Sequence, residues 1–290
     1  MTKQAKNVLI TGASGGIGLA IAERCAQDGA NIVIAAKTDQ PHPKLEGTIH
    51  TAAEAIEKAG GKALPLVCDI RDEASVDAAI AKTVETFGGI DIVVNNASAI
   101  FPMPTKDTPI KRWDLMHQVN ARGTFLVTQK ALPYLEKSEN PHILALSPPL
   151  DMREKWFAPH VAYTSAKYGM SLCILGWAGE FKGKIAANAI WPRTAVATAA
   201  IANVLAGEEA FKNCRKPDIL AETAYRVLTK PASEFTGNFL IDDSFLVSEG
   251  VTDLDQFAVD PSQELLPDFF VPEEPKAPEG VKIMSIDPSH

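Results

Sequence analysis

The chain is poor in several features that would have set its class. Its 290 residues hold four cysteines, Cys25, Cys68, Cys173 and Cys214, far apart and without a Cys-x-x-Cys pair or a histidine cluster at metal-ligand spacing. No metal site and no disulfide framework is therefore expected, and the thiols read as free and buried. Basic charge is also short: 28 Lys and Arg against 36 Asp and Glu leave a net charge of −8. Without a basic stripe to displace counterions from phosphates, nucleic-acid binding is not expected. No run approaches the roughly 18 apolar residues of a membrane span. The opening Met-Thr-Lys-Gln-Ala-Lys runs into a strand-like segment with no secretory apolar region, and the closing Asp-Pro-Ser-His is neither a peroxisomal tripeptide nor a lipidation signal. The expected compartment is the cytoplasm.

What the chain does have is apolar patterning. With 46% hydrophobic and 22% charged residues it is globular, which excludes disorder, collagen and a coiled coil. Seven short apolar runs, Asn7–Thr11, Asn31–Ala36, Ala63–Cys68, Ile90–Asn95, His142–Ser147, Ala186–Trp191 and Asn238–Ile241, read as strands. Helical patterns fall between them near Gly16–Gln27, Thr48–Ala59, Glu73–Phe87, Thr108–Glu136, Val161–Phe181 and Pro217–Lys230. The alternation predicts one doubly wound α/β domain over residues 1–250, built on a seven-stranded parallel sheet. Residues 251–290 differ: nine acids against two lysines, and six of the twenty prolines. They read as an acidic, Pro-rich extended tail on the surface or across a subunit boundary, with Phe257, Phe269 and Phe270 as anchors.

Directly after the first strand comes Thr11-Gly12-Ala13-Ser14-Gly15-Gly16-Ile17-Gly18, leading into a helix. Glycines allow the tight turn and bring main-chain N–H groups and the positive helix end against a pyrophosphate, so the segment reads as a dinucleotide cradle. The second strand ends Ala36-Lys37 where an NAD site usually presents a carboxylate to the ribose 2′-hydroxyl. Lacking that carboxylate and offering a cation, the site favours NADP(H) over NAD(H), unless Lys37 is an ordinary solvated lysine. Asp69, followed by Ile70, stands where a carboxylate can meet the adenine amine or cap the next helix. Asn96 and Ala97, in Asn95-Asn96-Ala97-Ser98, fall at the C-terminal sheet edge, as cofactor contacts or as a plain turn.

Tyr163 and Lys167 stand four apart in a helical pattern and project from one face. A neighbouring ammonium favours the phenolate and moves the phenol toward working pH, which suits proton transfer. Ser147 ends a predicted strand sixteen residues earlier, on the same sheet edge as the glycine loop. Asn120 is a polar residue in an apolar helical stretch, either functional or a bend in the helix.

In their order, Thr11-Gly12 with Gly16 and Gly18, Asn95-Asn96-Ala97, Asn120, Ser147, and Tyr163 with Lys167 resemble the short-chain dehydrogenase/reductase family over about residues 5–245. Within it the chain is similar to a hydroxysteroid dehydrogenase-like subgroup, through Ala35-Ala36-Lys37-Thr38, Leu146-Ser147-Pro148-Pro149 and Asn188-Ala189-Ile190-Trp191-Pro192. Animal members of that subgroup carry a sterol-carrier-like domain and a peroxisomal signal, and no such segment is read after residue 250. The resemblance implies a Rossmann fold and a tetrad. Tyr163 exchanges a proton with the substrate oxygen, Ser147 hydrogen-bonds that oxygen, Lys167 holds the nicotinamide ribose and lowers the Tyr163 pKa, and Asn120 anchors a relay water. It further implies cofactor contacts from Gly12, Ser14, Gly15, Gly16, Ile17, Gly18, Asp69, Ile70, Asn96, Ala97, Tyr163 and Lys167, with Pro192, Thr194 and Thr198 on the nicotinamide side.

Three departures stand out. Gly15 replaces an arginine common in NADP-dependent relatives, Pro192-Arg193 replaces the usual Pro-Gly with Thr198 one residue late, and the Ser147–Tyr163 interval is lengthened by Pro148, Pro149, Trp156 and Phe157. The bulky residues suggest an apolar lid over the site, or simple surface packing.

The leading expectation is an NADP(H)-dependent oxidoreductase acting on a carbonyl or secondary alcohol of an apolar, lipid-derived or acyl substrate. The alternative is an NADP(H)-binding redox sensor or scaffold with little turnover. Apolar excess on the helices near Thr108–Glu136 and Val161–Phe181 adds the expectation of a homodimer or homotetramer.

Overall fold

The computed structural model describes residues 5–45, 47–204 and 207–286. Seven strands, β1 (Asn7–Thr11), β2 (Asn31–Ala36), β3 (Lys62–Val67), β4 (Ile92–Asn95), β5 (His142–Leu146), β6 (Ala186–Trp191) and β7 (Phe239–Ile241), form one sheet in the order β3-β2-β1-β4-β5-β6-β7. Every pairing is parallel; Leu9 aligns with Val33 on one side and Val93 on the other. Alternate residues of a strand enter opposite layers. Val8, Ile10, Ile32 and Ile34 pack on one face with α1 (Gly16–Ala26), α2 (Ile49–Ala59) and α8 (Asp218–Leu228). Leu9, Val33, Val93 and Ile143 pack on the other with α3 (Glu73–Phe87), α5 (Gly123–Leu135) and α6 (Val161–Glu180). Strand order reverses between β1 and β4, so a crevice opens at the carboxyl ends of these strands, where ligands of open α/β sheets bind.

Local chemistry sets the helix ends. Thr48 accepts from His50 N and Thr51 N in a capping box ahead of α2, Asp72 accepts from Ala74 N ahead of α3, and left-handed Gly60 and Gly88 end these two helices. The helix expected over Thr108–Glu136 is instead α4 (Ile110–Met116), a π-helical turn (His117–Arg122) and α5 in succession. Two short helices, α7 (Ala199–Val204) and α9 (Asp242–Ser248), had no expectation, being too short to show a period.

The tail is anchored by Phe257 and Phe270 as expected, and it goes further into the fold than a surface segment would. It packs into its own chain: Leu254 and Phe257 join the main core, and Phe270 is fully buried. Single bridges tie Thr194 to Pro267, Arg215 to Ala258 and Leu265 to Ile283. Among the described residues no helix is long and apolar enough to cross a membrane, and no group of three or more potential ligands could hold a metal ion.

Candidate active site

A cleft of about 1480 Å3 runs along the carboxyl edge of the sheet, with Gly12, Ser14, Gly15, Gly16 and Ile17 on its wall. Gly12 and Gly16 have φ of 68° and 56°, where side chains are disfavoured. Gly18 is not on the wall and is small for another reason: a Cβ there would come 2.5 Å from Asn96 Nδ2. That amide donates to Thr11 O (3.0 Å) and Gly12 O (3.2 Å), while Thr11 Oγ1 accepts from Asn96 N (3.1 Å) and Ala97 N (3.0 Å). Asn96 and Ala97 do line the cleft, but Asn96 also props the glycine turn, a task that sequence reading had not assigned.

At the rim, Lys37 Nζ lies 3.7 Å from Asp69 Oδ2, and Arg71 grips the same carboxylate at 2.7 Å. The Arg71 side-chain bonds, with smaller help from its backbone N–H and the charge of Lys37, hold Asp69 down at about 2. Asp69 caps nothing, since Asp72 caps α3. Arg71 is the cation missed from sequence; only the fold brings it to Lys37. Ile70 is buried on the wall against Gly123.

Tyr163 and Lys167 rise from α6 onto the cleft wall, 4% and 3% exposed. Lys167 Nζ donates to Ser98 Oγ (3.2 Å) and sits 5.4 Å from the Trp191 ring centroid. Among the described residues the Tyr163 hydroxyl has no hydrogen-bond partner, and its ring packs near His160, Phe269 and Phe270. Burial pushes its pKa up and the charge of Asp268 adds to the rise. Desolvation by these rings opposes the lowering expected from Lys167. Lys167 is itself pushed down to about 7 by burial, with Asp268 opposing.

The other two tetrad positions lie off the wall. Ser147 follows β5, fully buried, and its Oγ has no partner. Asn120 sits inside the π-helical turn, accepting from Ala99 N (2.7 Å) and donating to Ala99 O (3.0 Å). Its side chain fastens the loop after β4. Trp156 and Phe157 are packing too: Trp156 lies tilted against Phe270 and Phe157 edge-on to Tyr168, and neither lines the cleft.

Pro192 and Thr198 line the cleft; Thr194 is fully buried, off the wall, with an unpartnered Oγ1. Arg193, the residue in place of glycine, turns inward. It bonds Asp243 (2.8 Å) and Ser244 Oγ (2.6 Å), and Arg215 reaches the same Asp243 at 2.9 Å. The altered loop is a buried fastening.

This geometry has close counterparts. The family described as short chain dehydrogenase matches residues 6–209. Hydroxysteroid dehydrogenase-like protein 2 of Xenopus tropicalis is 58% identical over 93% of this chain, and that of Rattus norvegicus 59% over 93%. The chain spans 64% and 51% of those two proteins. A Xanthomonas campestris crystal structure superposes with a TM-score of 0.90 at 55% identity, covering 94% of this chain and 100% of that one. The fold, the ordered motifs and these matches place the chain in the short-chain dehydrogenase/reductase family.

Proposed function

We propose that this chain binds NADP(H) and interconverts a carbonyl and a secondary alcohol on an apolar, lipid-like or acyl substrate. The observation that carries the reading is the unpartnered Tyr163 hydroxyl on the wall of a cleft that begins at a glycine-lined helix N-terminus. Positive φ at Gly12 and Gly16 and the bare main chain of residues 12–17 fit a pyrophosphate. Lys37 and Arg71 would meet a 2′-phosphate, Asp69 and Ile70 the adenine, Lys167 the ribose, and Pro192 to Thr198 the nicotinamide side. When bound, the reduced nicotinamide supplies hydride.

The chain supplies the proton. A phenol held neutral by burial donates its O–H to the carbonyl oxygen and, in the reverse direction, must be deprotonated to accept one. The resemblance gives Ser147 the task of hydrogen-bonding that same oxygen; its hydroxyl, buried off the wall, has no partner among the described residues, and an unpaired buried hydroxyl costs about 1–3 kcal/mol. Asn120 positions the loop that carries Ile100 to the cleft. Ile100, Leu115, Trp191 and Phe269 give the wall its apolar character.

Two further readings complete the proposal. All four cysteines are free, which supports a reducing compartment such as the cytoplasm. Exposed Phe125, Leu172 and Leu175 on α5 and α6 support a homodimer or homotetramer.

The test is parallel titration with NADPH and NADH, then a panel of carbonyls graded in chain length. NADPH should bind about tenfold more tightly, and turnover should rise with apolar length. Equal or stronger NADH binding overturns the phosphate reading. NADPH binding with no turnover across the panel overturns the enzyme reading in favour of a redox sensor or scaffold.

A further inference from the structure

One wall of the cleft comes from the far end of the chain. Leu266, Pro267, Asp268 and Phe269 line it together with Tyr163 and Lys167. Main-chain bonds seat this strap on the loop after β6: Ala195 N donates to Leu266 O (2.8 Å) and Asp268 N to Arg193 O (3.0 Å), while Leu266 N donates to Asn213 O (2.9 Å). Two successive phenylalanines on the strap then part ways. Phe270 adopts φ 62°, a left-handed conformation that bulky residues rarely hold, and its ring is locked among Trp156, His160, Tyr163, Tyr168 and Trp191. Strain of this kind persists where packing over-determines it and clusters at functional sites. Phe269 instead keeps 36% of its surface exposed and lies on the cleft wall. Its peptide is held on both sides: the Asp268 carboxylate accepts from Phe269 N (2.7 Å), and Trp191 Nε1 donates to Phe269 O (2.7 Å). The Phe269 ring meets His160 edge to face at 4.9 Å between centroids and Tyr163 at 6.4 Å, both within the range of aromatic contact.

We propose that Phe269 is a specificity-determining residue: the strap sets its ring beside Tyr163 as a fixed apolar wall that admits an unbranched chain next to the substrate carbonyl and turns away a branched one. The proposal deepens the reading of Tyr163 given above and rests on it. A carbonyl oxygen bonded to the Tyr163 hydroxyl brings the two carbons flanking that carbonyl into the same part of the cleft, so groups attached there meet the rings around Tyr163. Those rings have little room to yield. Phe269 is bonded through its N–H and its carbonyl, and behind it Phe270 is fully buried, 6.1 Å away between centroids. Trp191, the other large ring on this wall, is tied to Phe269 O through its Nε1 and carries Lys167 Nζ 5.4 Å from its ring centroid. In surroundings packed this closely an added methyl group becomes a clash, whereas a slender chain gains apolar contact.

Binding to the NADP+ complex reads Phe269 without turnover, since that complex has no hydride to give. Two isomeric probes, methyl octyl ketone and tert-butyl pentyl ketone, are titrated by calorimetry into the full-length wild type, Phe269→Ala and Phe269→Trp, each saturated with NADP+. Wild type should bind the unbranched probe more tightly. Phe269→Ala should shrink that preference roughly tenfold and Phe269→Trp should enlarge it, while NADP+ affinity stays within about twofold in all three. Phe269→Trp, which keeps an aromatic ring on the strap, carries the test if the smaller side chain unseats it. A preference unchanged in the variants overturns the proposal. So does an equal loss of both probes in Phe269→Ala, which shows apolar area without selection, and so does a wild type that binds both alike or neither. The same ketones supplied with NADPH separate this proposal from the reading it rests on. NADPH oxidation with a preference that Phe269 does not move keeps the redox reading and loses the Phe269 wall. A binding preference that moves with Phe269, in a chain that oxidises no NADPH, keeps the wall and loses the redox reading.

Discussion

Two cations around one carboxylate recur in this molecule, and two of these clusters, one at the cleft rim and one in the interior, differ sharply in burial. At the cleft rim, Lys37 and Arg71 flank Asp69, with side chains 61%, 33% and 30% exposed. In the interior, Arg193 and Arg215 flank Asp243, with side chains 4%, 1% and 0% exposed. Exposed pairs contribute about 0–1 kcal/mol and exchange partners with water or an incoming anion at little cost. Buried pairs cannot, since either charge left alone is stranded in a medium that solvates it poorly. Burial therefore makes the second cluster a fastening and leaves the first able to exchange its partners for an incoming anion.

The sharpest way to break the comparison is to remove the shared carboxylate of the buried cluster. Asp243→Ala strands two guanidinium groups and should lower the unfolding free energy by about 3–5 kcal/mol in urea titration. A loss under about 1 kcal/mol would make the two clusters equivalent.

Next in size is a pH effect from its neighbour. Asp242 accepts from Arg193 N and Asp243 N through Oδ1, while Oδ2 has no partner. Burial, reinforced by Asp243, raises Asp242 from 3.8 to about 6. Between these values the folded chain holds a proton that the unfolded chain releases, so this contribution is present below the unfolded value and lost as pH climbs through 6. Asp242→Asn, which mimics the protonated form, should gain stability relative to wild type between pH 4 and pH 7.5. A constant difference across that range would place the ordinary carboxylate pKa at this site.

The smallest effects belong to the rim. Lys37→Ala and Arg71→Ala should each leave stability within about 0.5 kcal/mol of wild type. Each should weaken NADPH binding roughly tenfold without weakening NADH binding, measured by cofactor fluorescence. Equal losses for both cofactors would remove the 2′-phosphate from the rim.

Much of the fold was legible because parallel strands buried on both faces announce themselves locally: β1, β2 and β6 fall where their apolar runs lie. The glycine loop was legible for a similar reason, as its residues are consecutive and their work is done by the main chain. The rim and the strap were not. Arg71 meets Lys37 only across the β2–β3 pairing, and Arg193 finds Asp243 fifty residues away. The aromatic residues of the tail showed that it would dock, but an aperiodic, proline-rich segment does not tell that Phe270 will be buried beside Tyr163. The burial of the phenol was hidden for the same cause: spacing put Lys167 one turn away, but rings that desolvate Tyr163 arrive from residues 269–270. Asn120 showed as a polar residue in an apolar stretch, yet its partner at Ala99 belongs to a loop whose path sequence does not trace.

The central claim is that Tyr163 transfers the proton while the glycine loop and rim hold the cofactor, and Tyr163→Phe separates the two. NADPH affinity measured by fluorescence should match wild type within about twofold, while carbonyl-dependent NADPH oxidation falls by a factor on the order of 100 to 10,000. Turnover persisting near the wild-type rate in a variant that binds NADPH normally would contradict the account.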